Sequence, residues 1–169
     1  MHFSIRRAIA ADFPFVVRLE ERVFEPNRRE SRRSLLRSLR SPHQEVWIAV
    51  DERGAPVGVL VLRVFLHTIR IYSIGVDPIR QGEGIGSRLL EWGVERACAR
   101  RSDRISLEVD ARDQRLVRFY AGKRFSPVCT LPDYYGPGAH GLRMVRRIAV
   151  CECGDARSPV TVGAGDDEN

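Results

Sequence analysis

The chain has 169 residues, 43% of them apolar and 30% charged, which excludes a wholly disordered polymer and fits one globular domain. A domain of this length hides roughly 70% of its unfolded surface, enough for a core that needs no metal or disulfide staple. The formal charge of +6 is carried almost wholly by arginine, Lys123 being the only lysine, and it favours anionic partners without by itself calling for nucleic acid.

Residues 3–8 alternate apolar and polar, as a half-buried strand does. A helix should follow, with Asp12 as its cap, Pro14 in its first turn, and Phe15, Val16, Leu19 and Val23 at helical spacing. Phe24-Glu-Pro-Asn27 breaks it, and Ser31 can cap a second, arginine-rich helix that Ser41-Pro42 ends. Residues 45–51, 57–66 and 68–76 read as three consecutive strands. After them comes Asp77-Pro-Ile-Arg-Gln-Gly-Glu-Gly-Ile-Gly86, then a helix whose apolar face runs through Leu89, Leu90, Gly93, Val94 and Ala97. The next strand, 104–110, points Ile105, Leu107 and Val109 one way and Ser106, Glu108 and Asp110 the other. A short helix over 113–122 carries Leu116, Phe119 and Tyr120. Strands over 124–131 and 142–148 then flank the aromatic, glycine-rich stretch Asp133-Tyr-Tyr-Gly-Pro-Gly-Ala-His-Gly141. The domain is expected over residues 1–149, with a small-residue, acidic tail over 150–169 expected to be disordered.

No window reaches the ~18 consecutive apolar residues of a membrane span, and the opening Met1-His-Phe-Ser-Ile-Arg-Arg7 lacks a signal-peptide core, so a soluble cytoplasmic protein is expected. Cys98, Cys129, Cys151 and Cys153 are too few and too uneven for a disulfide framework, and Cys151-Glu-Cys153 has the wrong spacing for a redox or zinc pair. No metal is expected.

Gln81-Gly-Glu-Gly-Ile-Gly86 lies between a strand and a helix, where backbone N–H groups and the positive end of the helix dipole can hold a phosphate. A plain strand-to-helix connection reads equally well from the hexapeptide alone. A dinucleotide-binding turn fits poorly, because five residues separate the strand from the first glycine and Ser87 falls where the third would be. No Gly-Lys-Ser/Thr follows, so a P-loop is excluded.

Together these residues resemble the GNAT superfamily of acetyl-CoA-dependent N-acetyltransferases. Gln81-Gly-Glu-Gly-Ile-Gly86 fits that family's [Gln/Arg]-x-x-Gly-x-[Gly/Ala] motif, and Leu107-Glu-Val109, Asp113, Phe119-Tyr120 and Lys123-Arg-Phe125 resemble its downstream segment. Within the superfamily the likeness is nearest to the ribosomal-protein alanine N-acetyltransferase type, through Tyr134-Tyr135 with Gly136 and Gly141-Leu-Arg-Met144. Asp113 replaces the usual Asn, Gly82 the common Arg, Leu116 the usual Ala, and Pro137-Gly-Ala-His140 an acidic closing loop.

The resemblance implies an α+β fold with a mixed, mostly antiparallel sheet of about seven strands, splayed in the middle, and about four helices. It implies acetyl-CoA as acyl donor, contacted by the backbone of Ile74, Gly75 and Val76, with Gly82, Glu83, Gly84, Ile85, Gly86 and Ser87 around the pyrophosphate and Asp113 nearby. Glu108 would be the general base and Tyr120 the general acid; the plain alternatives are a salt-bridged strand carboxylate and a core aromatic. Phe24, Tyr134 and Tyr135 would line the acceptor groove, with Arg28, Arg29, Arg32, Arg33, Arg37 and Arg40 beside it as a solvated face or a guide for acidic substrates. The acceptor would be a protein α-amino group; a small amine, or a non-catalytic acyl-CoA-binding regulator, are the alternatives. A monomer or homodimer is expected.

Overall fold

Local sequence signals set the frame of the fold, and the computed structural model describes it for residues 3–149; the tail expected over 150–169 lies outside the described residues. In chain order the elements are β1 (Phe3–Arg7), α1 (Phe13–Val23), α2 (Arg32–Arg40), β2 (Gln44–Asp51), β3 (Pro56–Val64), β4 (Thr68–Val76), α3 (Ile85–Ala99), β5 (Arg104–Asp110), α4 (Gln114–Gly122), β6 (Ser126–Leu131) and β7 (Gly141–Arg147). The strands form one sheet in the order β1-β2-β3-β4-β5-β7-β6. Every neighbouring pair is antiparallel except the central β4–β5 pair, which is parallel. This is the α+β architecture that the resemblance implies.

Ser31 caps α2 by accepting the Ser34 N–H at 3.1 Å, and Pro14 stands in the first turn of α1. Asp12 does not cap α1. Its carboxylate turns back to the Ile9 N–H at 2.8 Å and to Arg6 at 2.7 Å, locking the short turn that enters the helix. The strand expected from residue 124 starts at Ser126 instead, because Arg124 adopts a left-handed φ of 66° that drops the next side chain, Phe125, into the core.

Two apolar layers cover the sheet. On one face α1 and α2 bury Val16, Val17, Leu19 and Leu35 against Val46, Ile48, Val59 and Val61. On the other, α3 and α4 bury Ile85, Leu89, Leu90, Ala97 and Tyr120 against Leu60, Leu62, Ile69, Ile105, Leu107 and Met144. Each such large side chain contributes about 2 kcal/mol. Trp47 and Trp92 meet edge to face at 5.1 Å, half-buried beside this second layer. Among the described residues no helix is long and apolar enough to cross a membrane.

Candidate active site

The site is built on a fault in the sheet. β4 and β5 pair at Thr68↔Arg104, Ile69↔Ile105 and Arg70↔Ser106 and then separate, so residues 71–76 have no strand partner on that side among the described residues. The cause lies in β4. Its register with β3 jumps from Leu62↔Ile71 to Val61↔Ser73, leaving Tyr72 as an extra, bulged residue. A one-residue bulge reverses the alternation: Ile69 and Ile71 face α3 before it, and Ile74 and Val76 face α3 after it. Gly75 then faces α1, where an added Cβ would sit at an ordinary 3.6 Å from Leu19. The backbone of Ile74, Gly75 and Val76 thus borders an open cleft, where the resemblance puts the donor's arm.

At the end of this edge the chain turns through Pro78–Arg80 into α3. Gly82 and Gly84 have φ of 89° and 83°, left-handed values that an L side chain rarely takes. Cβ atoms there would meet nothing within 4 Å, so the demand is conformational, and the space in front of the loop is open. Gly84 offers no side chain to cap α3, and the first-turn N–H groups of Ile85, Gly86 and Ser87 stand at the positive end of a 15-residue helix. Buried Ile85 pins that turn to the core, 1% exposed. Glu83 turns away to Arg80 at 2.7 Å, so its carboxylate does not enter the cradle. The open backbone loop fits a pyrophosphate, and the unpaired β4 edge fits an amide-bearing arm. Asp113 is occupied otherwise: its carboxylate accepts the Leu116 N–H at 3.0 Å and caps α4.

Glu108 and Tyr120 lie on opposite faces of the sheet at β5. Tyr120 packs with Leu107, Val109 and Phe125 in the α3–α4 layer, edge to face with Phe119 at 5.2 Å. Its hydroxyl makes no hydrogen bond to another described residue. Burial, with the Asp113 charge adding to it, pushes that hydroxyl up to about 12. Glu108 lies on the other face, its side chain 4% exposed and both oxygens taken: Arg70 Nε donates at 2.6 Å and Arg143 Nε at 2.9 Å. The salt-bridged carboxylate is therefore a fact of this structure.

The aromatic stretch closes over this carboxylate. Arg70 also donates to the Tyr134 hydroxyl at 2.6 Å, and Tyr134 meets Tyr135 edge to face at 4.9 Å. An added Cβ at Gly141 would sit 3.0 Å from the Tyr134 Cβ, so this glycine lets Tyr134 lie against β7. The connection that starts at Phe24 supplies Arg28, whose guanidinium stacks on Tyr135 at 4.5 Å and bonds Asp110 at 2.6 Å, tying the two loops across the site. The Asp110 carboxyl is held far below its usual range, first by hydrogen bonds from Arg112 and then by Arg28. Burial, with the Tyr134 and Glu108 charges adding to it, raises the Tyr135 hydroxyl well above its usual value.

Sequence reasoning missed Arg70, Arg143 and Tyr72, and the particular place of Arg28. Ile69 and Ile71, one residue to either side of Arg70, are a signal for its face, but no local pattern gives its partners, which come from positions far along the chain. Tyr72 donates to Glu30 and carries the Arg63 guanidinium 3.5 Å from its ring, holding the α1–α2 connection on the bulge.

A split parallel pair beside a glycine loop is the arrangement that the resemblance to the acetyltransferases implies. The family model described as "Acetyltransferase (GNAT) family" matches residues 5–125, and the chain belongs to that family. The ribosomal-protein-S18-alanine N-acetyltransferase of Escherichia coli superposes with a TM-score of 0.79 at 20% identity, covering 88% of this chain and 95% of that one. Ard1 from Thermoplasma volcanium gives 0.79 at 21%, covering 88% and 99%. A mycothiol acetyltransferase of Kineococcus radiotolerans is 48% identical over 64 residues, 38% of this chain and 21% of that protein. The chain thus spans about a fifth of that relative's length, and 31% of the Beutenbergia cavernae protein of the same name.

Proposed function

We propose that this protein transfers the acetyl group of acetyl-CoA to a primary amine, the N-terminal α-amino group of a polypeptide, by direct attack. The observation that supports this reading is Glu108, bonded to Arg70 beside the gap that opens beyond Arg70↔Ser106, with Tyr120 buried on the other face of β5.

Acetyl-CoA supplies a thioester whose carbonyl accepts the amine. The Gly82–Ser87 backbone holds its pyrophosphate, and the free edge of β4 at Ile74, Gly75 and Val76 holds its arm and offers N–H groups to the carbonyl oxygen. Glu108 takes a proton from the acceptor ammonium, directly or through a water, competing with its arginine partners. The N–C bond forms as the C–S bond breaks, Tyr120 gives its proton to the departing thiolate, and the second proton of the new amide nitrogen passes to solvent, from which Tyr120 is reprotonated. A hydroxyl held at about 12 stays protonated at neutral pH, so Tyr120 is always loaded as a donor. Tyr134, Tyr135 and Phe24 form the acceptor walls, with Arg28 stacked on Tyr135 and bonded to Asp110. The Escherichia coli structural neighbour is by name a ribosomal-protein alanine N-acetyltransferase and the curated relatives are by name mycothiol acetyltransferases, so the choice between a polypeptide and a small amine rests on the test below.

Thiol release from acetyl-CoA with peptides and small amines, in the native protein and in Glu108→Gln and Tyr120→Phe, tests the reading. Release with peptides that falls in both variants supports it; release only with small amines refutes the polypeptide acceptor. Coenzyme A binding with no release for any amine leaves a non-catalytic regulator.

A further inference from the structure

The face of the sheet that carries Glu108 is only half covered. α1 and α2 pack on β2, β3 and β4, while the same face of β5, β7 and β6 forms the floor of a cavity of about 1240 Å³. Six of its sixteen lining residues are arginines, against two acids, Asp103 and Glu108. Arg104 of β5 stands directly opposite Arg147 of β7, a like-charge cross-strand pair that costs stability unless an anion joins it. Both are exposed; Arg104 bonds Thr68 at 3.1 Å, and Arg147 forms no ion pair with another described residue. The cavity begins at Arg70, Glu108 and Arg143 and runs without a break to Arg147 and Ile148.

We infer that this arginine-lined face is the subsite for acidic side chains of the acceptor polypeptide, placed a few residues beyond the amine that is acetylated. The inference rests on the polypeptide-acceptor reading of the same site. From Arg143 beside Glu108 to Arg147 is four residues of strand, on the order of 13 Å, which an extended acceptor covers in about four residues. An acceptor with its amine at Glu108 therefore brings its third to sixth residues over Arg104 and Arg147. Phe65 and Val128, 55% and 57% exposed, give the rim an apolar component that suits a peptide more than a phosphate backbone. The surface pairs are individually weak, so discrimination comes from several acting together and is sensitive to salt.

The test compares three peptides that share their first two residues and carry Asp/Glu, Ser/Gln or Arg at positions 3–6, using the full chain and coenzyme A release. The acidic peptide is expected to show a kcat/KM about tenfold above the neutral one, with the arginine peptide lowest. The spread should shrink in about 0.5 M salt, where the screening length is roughly 4 Å. In the double variant Arg104→Glu with Arg147→Glu the order should invert. Arg104→Gln with Arg147→Gln should make the acidic and neutral peptides equal, and its thermal transition shows whether the fold is kept. Equal kcat/KM for all three peptides in the native protein overturns the subsite while leaving the acceptor reading intact. So does an acidic preference that persists in the glutamine variant. An RNA oligonucleotide that binds this face while the peptides stay equal also overturns it. No transfer to any peptide removes the acceptor reading and the subsite together.

Discussion

Arg70 on β4 crosses the mouth of the open cleft to grip Glu108 on β5, its Nε 2.6 Å from Oε2, while the same guanidinium holds the Tyr134 hydroxyl. One side chain thus fixes both the buried carboxylate and the acceptor wall. Arg70→Ala should lower kcat/KM for a peptide by roughly tenfold to a hundredfold while leaving coenzyme A affinity near its native value. Arg70→Lys should recover only part of the loss, because a point charge cannot serve two acceptors as the planar fork does. Steady-state kinetics with a separate binding titration reads this; an equal loss of coenzyme A affinity would contradict it.

Tyr120 predicts a particular pH behaviour. Its hydroxyl is raised to about 12 from an ordinary 10, by burial first and the Asp113 charge second, so it remains protonated across the working range. Tyr120→Phe should reduce kcat by about 10²-fold. The alkaline side of its pH–rate profile should keep the native shape up to about pH 10. A native profile with an alkaline fall below that pH that disappears in Tyr120→Phe would contradict the assignment.

In the glycine loop, backbone conformation matters and space does not. Gly84 sits at φ 83°, and a Cβ added there would have nothing within 4 Å, so a side chain is strained without colliding. Gly84→Val should raise KM for acetyl-CoA by about tenfold or more, since a left-handed β-branched residue costs on the order of 1–2 kcal/mol. Gly84→Asn should cost much less, because asparagine tolerates that region. Equal effects of the two would point to a contact at the side-chain position instead.

Glu45 links stability to pH. Its side chain is 3% exposed, and although burial works to raise its carboxyl, hydrogen bonds from Arg96, Arg100 and Trp47 outweigh that and hold it at about 2. The folded value lies below the unfolded one of 4.5, so the contribution is fully present above pH about 4.5 and is lost as pH falls from there towards 2. The amount is about 3 kcal/mol. Glu45→Gln should lower the melting temperature at neutral pH and flatten its dependence between pH 4.5 and 2, as followed by thermal unfolding across that range. A variant that keeps the native acid slope would contradict this.

Local rules were enough for much of this molecule. Alternation along residues 104–110 put Glu108 on the face away from Leu107 and Val109, and helical spacing over Leu89, Leu90, Gly93, Val94 and Ala97 gave the buried side of α3, to which Ile85 adds. Ser31 capped where a serine before an arginine-rich helix should. The rest depends on contacts between distant parts of the chain. Asp12 left its helix because Arg6 stood across from it, and Arg28 left the solvated face to stack on Tyr135, more than a hundred residues away. The bulge at Tyr72 opens the cleft, yet residues 68–76 read as an uninterrupted strand, because the extra residue is defined only by pairing with β3. The arginine concavity is likewise assembled from β4, β5, β6 and β7 and has no linear signature.

Transfer of acetyl from acetyl-CoA to an amine beside Glu108 is tested most directly by the mass of a lysine-free peptide. The peptide is incubated with acetyl-CoA and either the native protein or Glu108→Gln, with coenzyme A affinity measured for both. One acetyl group is expected on the peptide's α-amine with the native protein, at least about a hundredfold slower with Glu108→Gln, and coenzyme A affinity should be similar in the two. An unmodified peptide despite bound coenzyme A, or undiminished transfer by Glu108→Gln, would contradict it.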